Sequence, residues 1–162
     1  MIRLPHYRLQ NVTQPHSERE RGQSLMEMAV SMVAIVILLA GIVDLGRAIF
    51  TFMALRDAAQ EGLVYASVYP FPCNRINQRI DDTLDNTPIS YKQIDYFYEG
   101  AYHGCDYAAI GKVITGSEMR VTVAQTDFPI TMPFLGAILG RQTIEIKAVV
   151  NGSVIRHNSV SP

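Results

Sequence analysis

The chain has 162 residues, of which 48 % are hydrophobic and 18 % charged, and its formal net charge is −1. That balance offers no electrostatic footprint for nucleic acid or another polyanion. Four histidines (His6, His16, His103 and His157) stand without metal-ligand spacing, and neither a phosphate-binding glycine loop nor a Gly-x-Ser-x-Gly elbow is present, so nothing points to an enzyme, a metal or a cofactor.

The N-terminal segment, Met1 to Gly22, carries Arg3, Arg8, Arg19 and Arg21 against Glu18 and Glu20. An apolar run follows. No charged residue interrupts Met28 to Val43, and Leu25 to Val43 is 19 residues, close to the roughly 20 that a helix rising 1.5 Å per residue needs to cross a bilayer core. Apolar residues cover every side of this run, a pattern that a small soluble domain can hardly bury and that predicts a membrane helix over about residues 25–45. Beyond it only Arg47 and Arg56 are basic within twenty residues, so the arginine bias predicts a cytoplasmic N-terminus and an extracytoplasmic C-terminal domain. The rival is a cleavable secretory signal ending at Ala40, whose minus-three residue, Leu38, is bulky for such a site.

Glu27 stands almost at the start of this run, where an unpaired carboxylate facing lipid costs a few kcal/mol and needs an ionic partner, protonation or the interface. The stretch "RGQSLMEMAV" resembles the processing site of type IV prepilins, in which cleavage follows a glycine and a glutamate stands fifth in the mature chain. The resemblance implies cutting by a prepilin peptidase between Gly22 and Gln23, a leader of residues 1–22, and a role for Glu27 in assembly, facing the N-terminal ammonium of a neighbouring subunit. An N-terminal glutamine can cyclise to pyroglutamate, which removes that amine.

The next stretch, "GIVDLGRAIFTFMALRDAAQEGLVYAS", holds Asp44, Gly46, Arg47, Phe50, Phe52, Ala58, Ala59, Glu61, Gly62, Tyr65 and Ala66 in an order that resembles the TadE-like family of minor pilins or pseudopilins of tight-adherence (Tad, or Flp) pili. Leu45, Ala48, Ile49, Phe52, Leu55, Ala59, Leu63 and Ala66 recur at helical three- and four-residue steps, so one helix is expected over residues 23–69, its outer half burying that stripe on this chain's own sheet, on the helices of neighbouring subunits, or on both. Asp44 and Arg47, three apart, either pair or are solvated separately. Pro70 and Pro72 end the helix.

Roughly 90 residues after Tyr69 form the outer domain, 70–162. Cys73 and Cys105 are disulfide candidates if that side is oxidising, the alternative being two separate thiols. Ile76, Ile80 and Leu84, four apart, predict a short helix ended near Asn86 to Pro88. Strands are expected in "YKQIDYFYEG", "SEMRVTVAQT" and "QTIEIKAVVNGSVI", and "GAYHGCDYAAIGK" reads as a loop. Pro133 to Leu139 is expected to cover one face of the sheet rather than to form an exposed contact surface. The aromatic residues Tyr91, Tyr96, Phe97, Tyr98, Tyr102 and Tyr107 divide between the same two uses.

The expected fold is α+β and pilin-like: a long N-terminal helix, a short helix and a small antiparallel sheet. The resemblance implies a structural subunit of a Tad-type pilus, with other pilins, the inner-membrane assembly machinery and membrane lipid as partners. The alternative is an uncleaved, signal-anchored single-pass protein whose outer domain binds a ligand.

Overall fold

A computed structural model describes residues 17–84, 87–106, 109, 111–132 and 135–156. Most of the leader and Tyr107 lie outside the described residues. The elements in chain order are α1 (Ser17–Val68), α2 (Cys73–Leu84), β1 (Tyr91–Tyr98), β2 (Ala101–Gly104), β3 (Glu118–Pro129), α3 (Leu135–Leu139) and β4 (Thr143–Ser153). This is the α+β, pilin-like order expected. The chain divides into two compact units, one up to Leu39 and one from Ala40 onward.

Helix α1 begins at Ser17, upstream of Gln23. Between Pro15 and Gly22 the sequence holds no residue that stops a helix from propagating backward. In the first unit the apolar side chains point outward all round, and the most apolar window of the helix has no buried residue.

In the second unit one narrow face of α1 is buried, carrying Leu55, Ala58, Ala59 and Ala66, with Ala48 partly covered. Leu55, Ala59 and Ala66 of the expected stripe are thus buried on the chain's own core, with Ala48 and Leu63 packed against it, while Leu45, Ile49 and Phe52 of the same stripe are exposed in the single chain. The small residues of the packed face let the helix lie close to its neighbours. Gly62 marks the closest approach: a Cβ there would stand 2.6 Å from Ile80 Cγ1 and 3.7 Å from Val121 Cγ1.

The sheet is antiparallel throughout, ordered β2-β1-β3-β4. Ile94 opposes Val121 and Tyr96 opposes Met119, while Val121 opposes Val150 and Val123 opposes Ala148. One face therefore carries an apolar row across three strands, and Ile76, Ile80 and Leu84 of α2 join the same core. Lys92 on β1 pairs with Asp81 on α2. Tyr96, fully buried, donates its hydroxyl to the Pro70 carbonyl at 2.7 Å, and burial pushes its phenol well above the ordinary tyrosine range.

Three features depart from the sequence reading. Ala101–Gly104, expected as loop, is strand β2, because Glu99 and Gly100 both take positive φ (53° and 81°) and close a two-residue hairpin. Strand β3 continues to Pro129 through an irregularity between Gln125 and Phe128 that turns Phe128 into the core. Finally, of the stretch Pro133 to Leu139 expected to cover the sheet, Pro133 and Phe134 lie outside the described residues, and α3 has no buried residue. Of the other aromatic candidates, Tyr91 and Phe97 are exposed and Tyr98 and Tyr102 half-buried.

Cys73 and Cys105 form a disulfide that joins the start of α2 to the residue after β2, with Cα atoms 5.9 Å apart and a sequence separation of 32. Closing such a loop stabilises a fold by roughly 3–4 kcal/mol in the chain-entropy model.

Candidate functional site

The residues singled out by sequence fall at three places along α1. Gly22, Gln23 and Glu27 lie in its first turns and are exposed. Among the described residues, nothing beyond its own stretch of helix approaches within 4 Å of the place where a Gly22 side chain would begin. Gln23 and Glu27, four apart, are neighbours on one helical face. A glycine inside a helix costs about 1 kcal/mol relative to alanine, so the turn at Gly22 is locally easy to open.

The second place is a clasp around Asp44. Its Oδ2 accepts the backbone N–H of Thr131 at 2.7 Å and of Met132 at 2.6 Å. Arg47, one turn on, stands 3.7 Å from Asp44 Oδ1, donates from Nη1 to Thr131 Oγ1 at 2.9 Å, and lies over the Phe128 ring at 5.3 Å. A Cβ at Gly41 would sit 3.4 Å from Met132 Sδ. The carboxylate is buried, where two backbone donors and a guanidinium compensate its lost hydration. The sequence left Asp44 and Arg47 as either paired or separate. They are paired, and the larger role of Asp44 is to bind the loop after β3. Thr131 and Met132 carry no motif, and the only signal for them was a lone aspartate at the end of an apolar run, which must find donors.

The third place is where α1 meets the core. Gly62 is buried against Ile80 and Glu61 is exposed. Gly46 is half-buried, but among the described residues nothing lies within 4 Å of where its Cβ would stand. At the end of the helix the Ser67 carbonyl accepts the N–H groups of Ile155 at 2.8 Å and Arg156 at 3.1 Å, so residues beyond β4 satisfy an otherwise orphaned helix terminus.

Among the described residues no group of three His, Cys, Asp or Glu side chains stands together in a way that could hold a metal ion. Two other phenols are raised above the ordinary range. Tyr102 is raised chiefly by donating to Glu118 at 2.6 Å, and Tyr91 by partial desolvation and its bond to Glu145. Both belong to surface pairs, Tyr91 exposed and Tyr102 half-buried.

A family described as TadE-like protein matches residues 22–63. The match starts at Gly22, takes in Glu27, Asp44, Gly46, Arg47, Glu61 and Gly62, and stops before the disulfide and the sheet. No curated protein and no solved structure gives a significant match to the chain.

Proposed function

With residues 22–63 forming a TadE-like domain, we propose that this protein is a minor pilin or pseudopilin of a tight-adherence pilus, a structural subunit rather than an enzyme. A prepilin peptidase removes the leader after Gly22, and the mature chain keeps its helix in the inner membrane over about residues 25–45. Residues 70–162 then form the extracytoplasmic domain, on the side where the Cys73–Cys105 disulfide persists.

The observation that carries this reading is the unburied apolar surface of α1. It surrounds the helix on all sides and is too extensive to be left in water, so it needs lipid or the helices of other pilins. In the bilayer Glu27 is the one carboxylate of the inner half, and pairing it with a neighbour's N-terminal ammonium sets the axial register between subunits. At Gly22 the weakened helical turn suits a peptidase that must open the backbone to reach the bond.

The test is the intact mass and N-terminal sequence of the chain extracted from its native membranes. A start at Gln23 with α1 retained is the expected result; its pyroglutamate form also establishes processing but removes the amine and so refutes the ammonium pairing of Glu27. A start at Met1 indicates an uncleaved anchored binding module, and one at Gly41 a secreted protein. Gly22→Leu should abolish processing, and Glu27→Ala should spare insertion but impair assembly; normal piliation in both variants refutes the mechanism.

A further inference from the structure

The loop held by Asp44 has a property that the clasp alone does not explain. From Phe128 to Gly140 the chain carries no charged residue. Within it α3, Leu-Gly-Ala-Ile-Leu, has no buried residue, and Ile138 is 79 % and Leu139 49 % exposed. We propose that Ile130–Met132 and α3 form a membrane wedge, seated among lipid headgroups and upper acyl chains beside the outer end of α1. The proposal rests on the reading that α1 spans a bilayer.

Depth is the first argument. Asp44 is the first charged residue after the uncharged run Met28–Val43, so it marks the outer boundary of the hydrocarbon. The amides of Thr131 and Met132 sit on its carboxylate, and the Met132 sulfur lies beside Gly41, three residues further into the uncharged run. The loop backbone is therefore level with the last apolar turn of the helix, and α3 begins three residues later. Exposed isoleucine and leucine at that level meet lipid rather than water.

Charge is the second argument. Arg141 directly follows the uncharged stretch and is exposed, and Arg47, at the clasp, is half-exposed. Two guanidinium groups flanking an apolar tip suit the phosphates of the headgroup layer. The nearest acid along the loop, Asp127, lies before Phe128 on β3, and Asp44 is already taken up by the loop amides.

The chain has no tryptophan, so single tryptophans report depth directly. Ile138→Trp, Val36→Trp and Ile114→Trp would each be made in the full chain. All three positions are exposed, and Ile114 precedes the far end of β3, ~35 Å from Pro129 at about 3.3 Å per strand residue. Each variant is reconstituted in phosphatidylcholine–phosphatidylglycerol vesicles containing lipids brominated either near the ester or near the chain end.

The expected result is that Ile138→Trp loses most of its emission to the shallow bromines, Val36→Trp to the deep ones, and Ile114→Trp to neither. Quenching of Val36→Trp without quenching of Ile138→Trp overturns the wedge and leaves the membrane helix standing. If Val36→Trp is unquenched, the membrane reading fails and takes the wedge with it. Emission from Ile138→Trp that is blue-shifted, unquenched and dependent on the protein-to-lipid ratio assigns the tip to a second copy, which also overturns the proposal.

Discussion

Replacing Asp44 with alanine should release the loop after β3 while leaving the sheet intact. The carboxylate accepts two backbone N–H groups at 2.7 and 2.6 Å, and a hydrogen bond to a charged group contributes roughly 1.5–3 kcal/mol. Two of them offset the ordering of the loop with a net of about 3 kcal/mol, which at 1.36 kcal/mol per decade is on the order of a hundredfold in local opening. Amide hydrogen exchange of the full chain in detergent micelles reads this at Thr131 and Met132 specifically. In Asp44→Ala both amides should exchange on the order of a hundredfold faster, while Val121 and Val123 in the centre of the sheet keep their protection. Asp44→Asn, which retains an acceptor oxygen but no charge, should fall between. Arg47→Ala should cost less, because its guanidinium is half-exposed and touches the loop through one hydroxyl and one ring face. If Thr131 and Met132 exchange as fast in the native chain as in Asp44→Ala, the clasp does not hold the loop and the depth argument for α3 loses its footing.

Alanine should act with opposite sign at two glycines of α1. At Gly46, where nothing lies within 4 Å, it should stabilise by about 1 kcal/mol through helix propensity, while at Gly62 the clash with fully buried Ile80 should outweigh that gain and destabilise by roughly 1–2 kcal/mol. Denaturant titration of the two variants in micelles checks the sign of each. The double replacement Cys73→Ser, Cys105→Ser should lower stability by roughly 3–4 kcal/mol, and a reductant should then have no further effect on the unfolding midpoint. Tyr96 contributes a pH dependence of known sign: burial raises its folded pKa above the unfolded value of about 10, so its contribution is complete below pH ~10 and is lost as pH rises through the folded pKa. Tyr96→Phe should remove that alkaline loss, at a cost of about 1 kcal/mol at neutral pH from the unpaired Pro70 carbonyl, read by unfolding curves across alkaline pH.

How legible each part was depended on how local its cause is. The helix, its proline stop and the Ile76–Ile80–Leu84 edge follow from periodicity and backbone chemistry within a few residues; α1 ends just before Pro70 and the α2 edge is buried as expected, while α1 starts at Ser17 rather than near Gln23. The three strands foreseen by alternation are present, but the hairpin turn at Glu99–Gly100 escaped because Glu-Gly is a weak turn signal beside Asn-Gly or Asp-Gly. The stripe on α1 was legible in part. Leu55, Ala59 and Ala66 are buried as read, with Ala58 and Gly62 beside them, while Leu45, Ile49 and Phe52 are exposed in the single chain. Periodicity finds the apolar residues of a face and does not say which of them a chain buries by itself. The clasp was legible only as a question about Asp44, since its answer lies 87 and 88 residues away. Gly22, Gln23 and Glu27 are the opposite case: their expected role depends on a peptidase and a neighbouring subunit, so nothing within one chain can display it.

The ties that finish α1 carry a consequence for the order in which the molecule is made. Thr131 and Met132 bind Asp44 across 87 and 88 positions, and the Ser67 carbonyl is satisfied by Ile155 and Arg156. During synthesis the apolar run leaves the ribosome long before any of those partners exists, so the outer half of α1 waits with its carboxylate and its final turn unsatisfied. Contacts of such long range are also slow to form. Under the proposed membrane reading, biogenesis then has a fixed sequence: the hydrophobic run is handed to the membrane first, and the domain beyond it closes onto an already anchored helix.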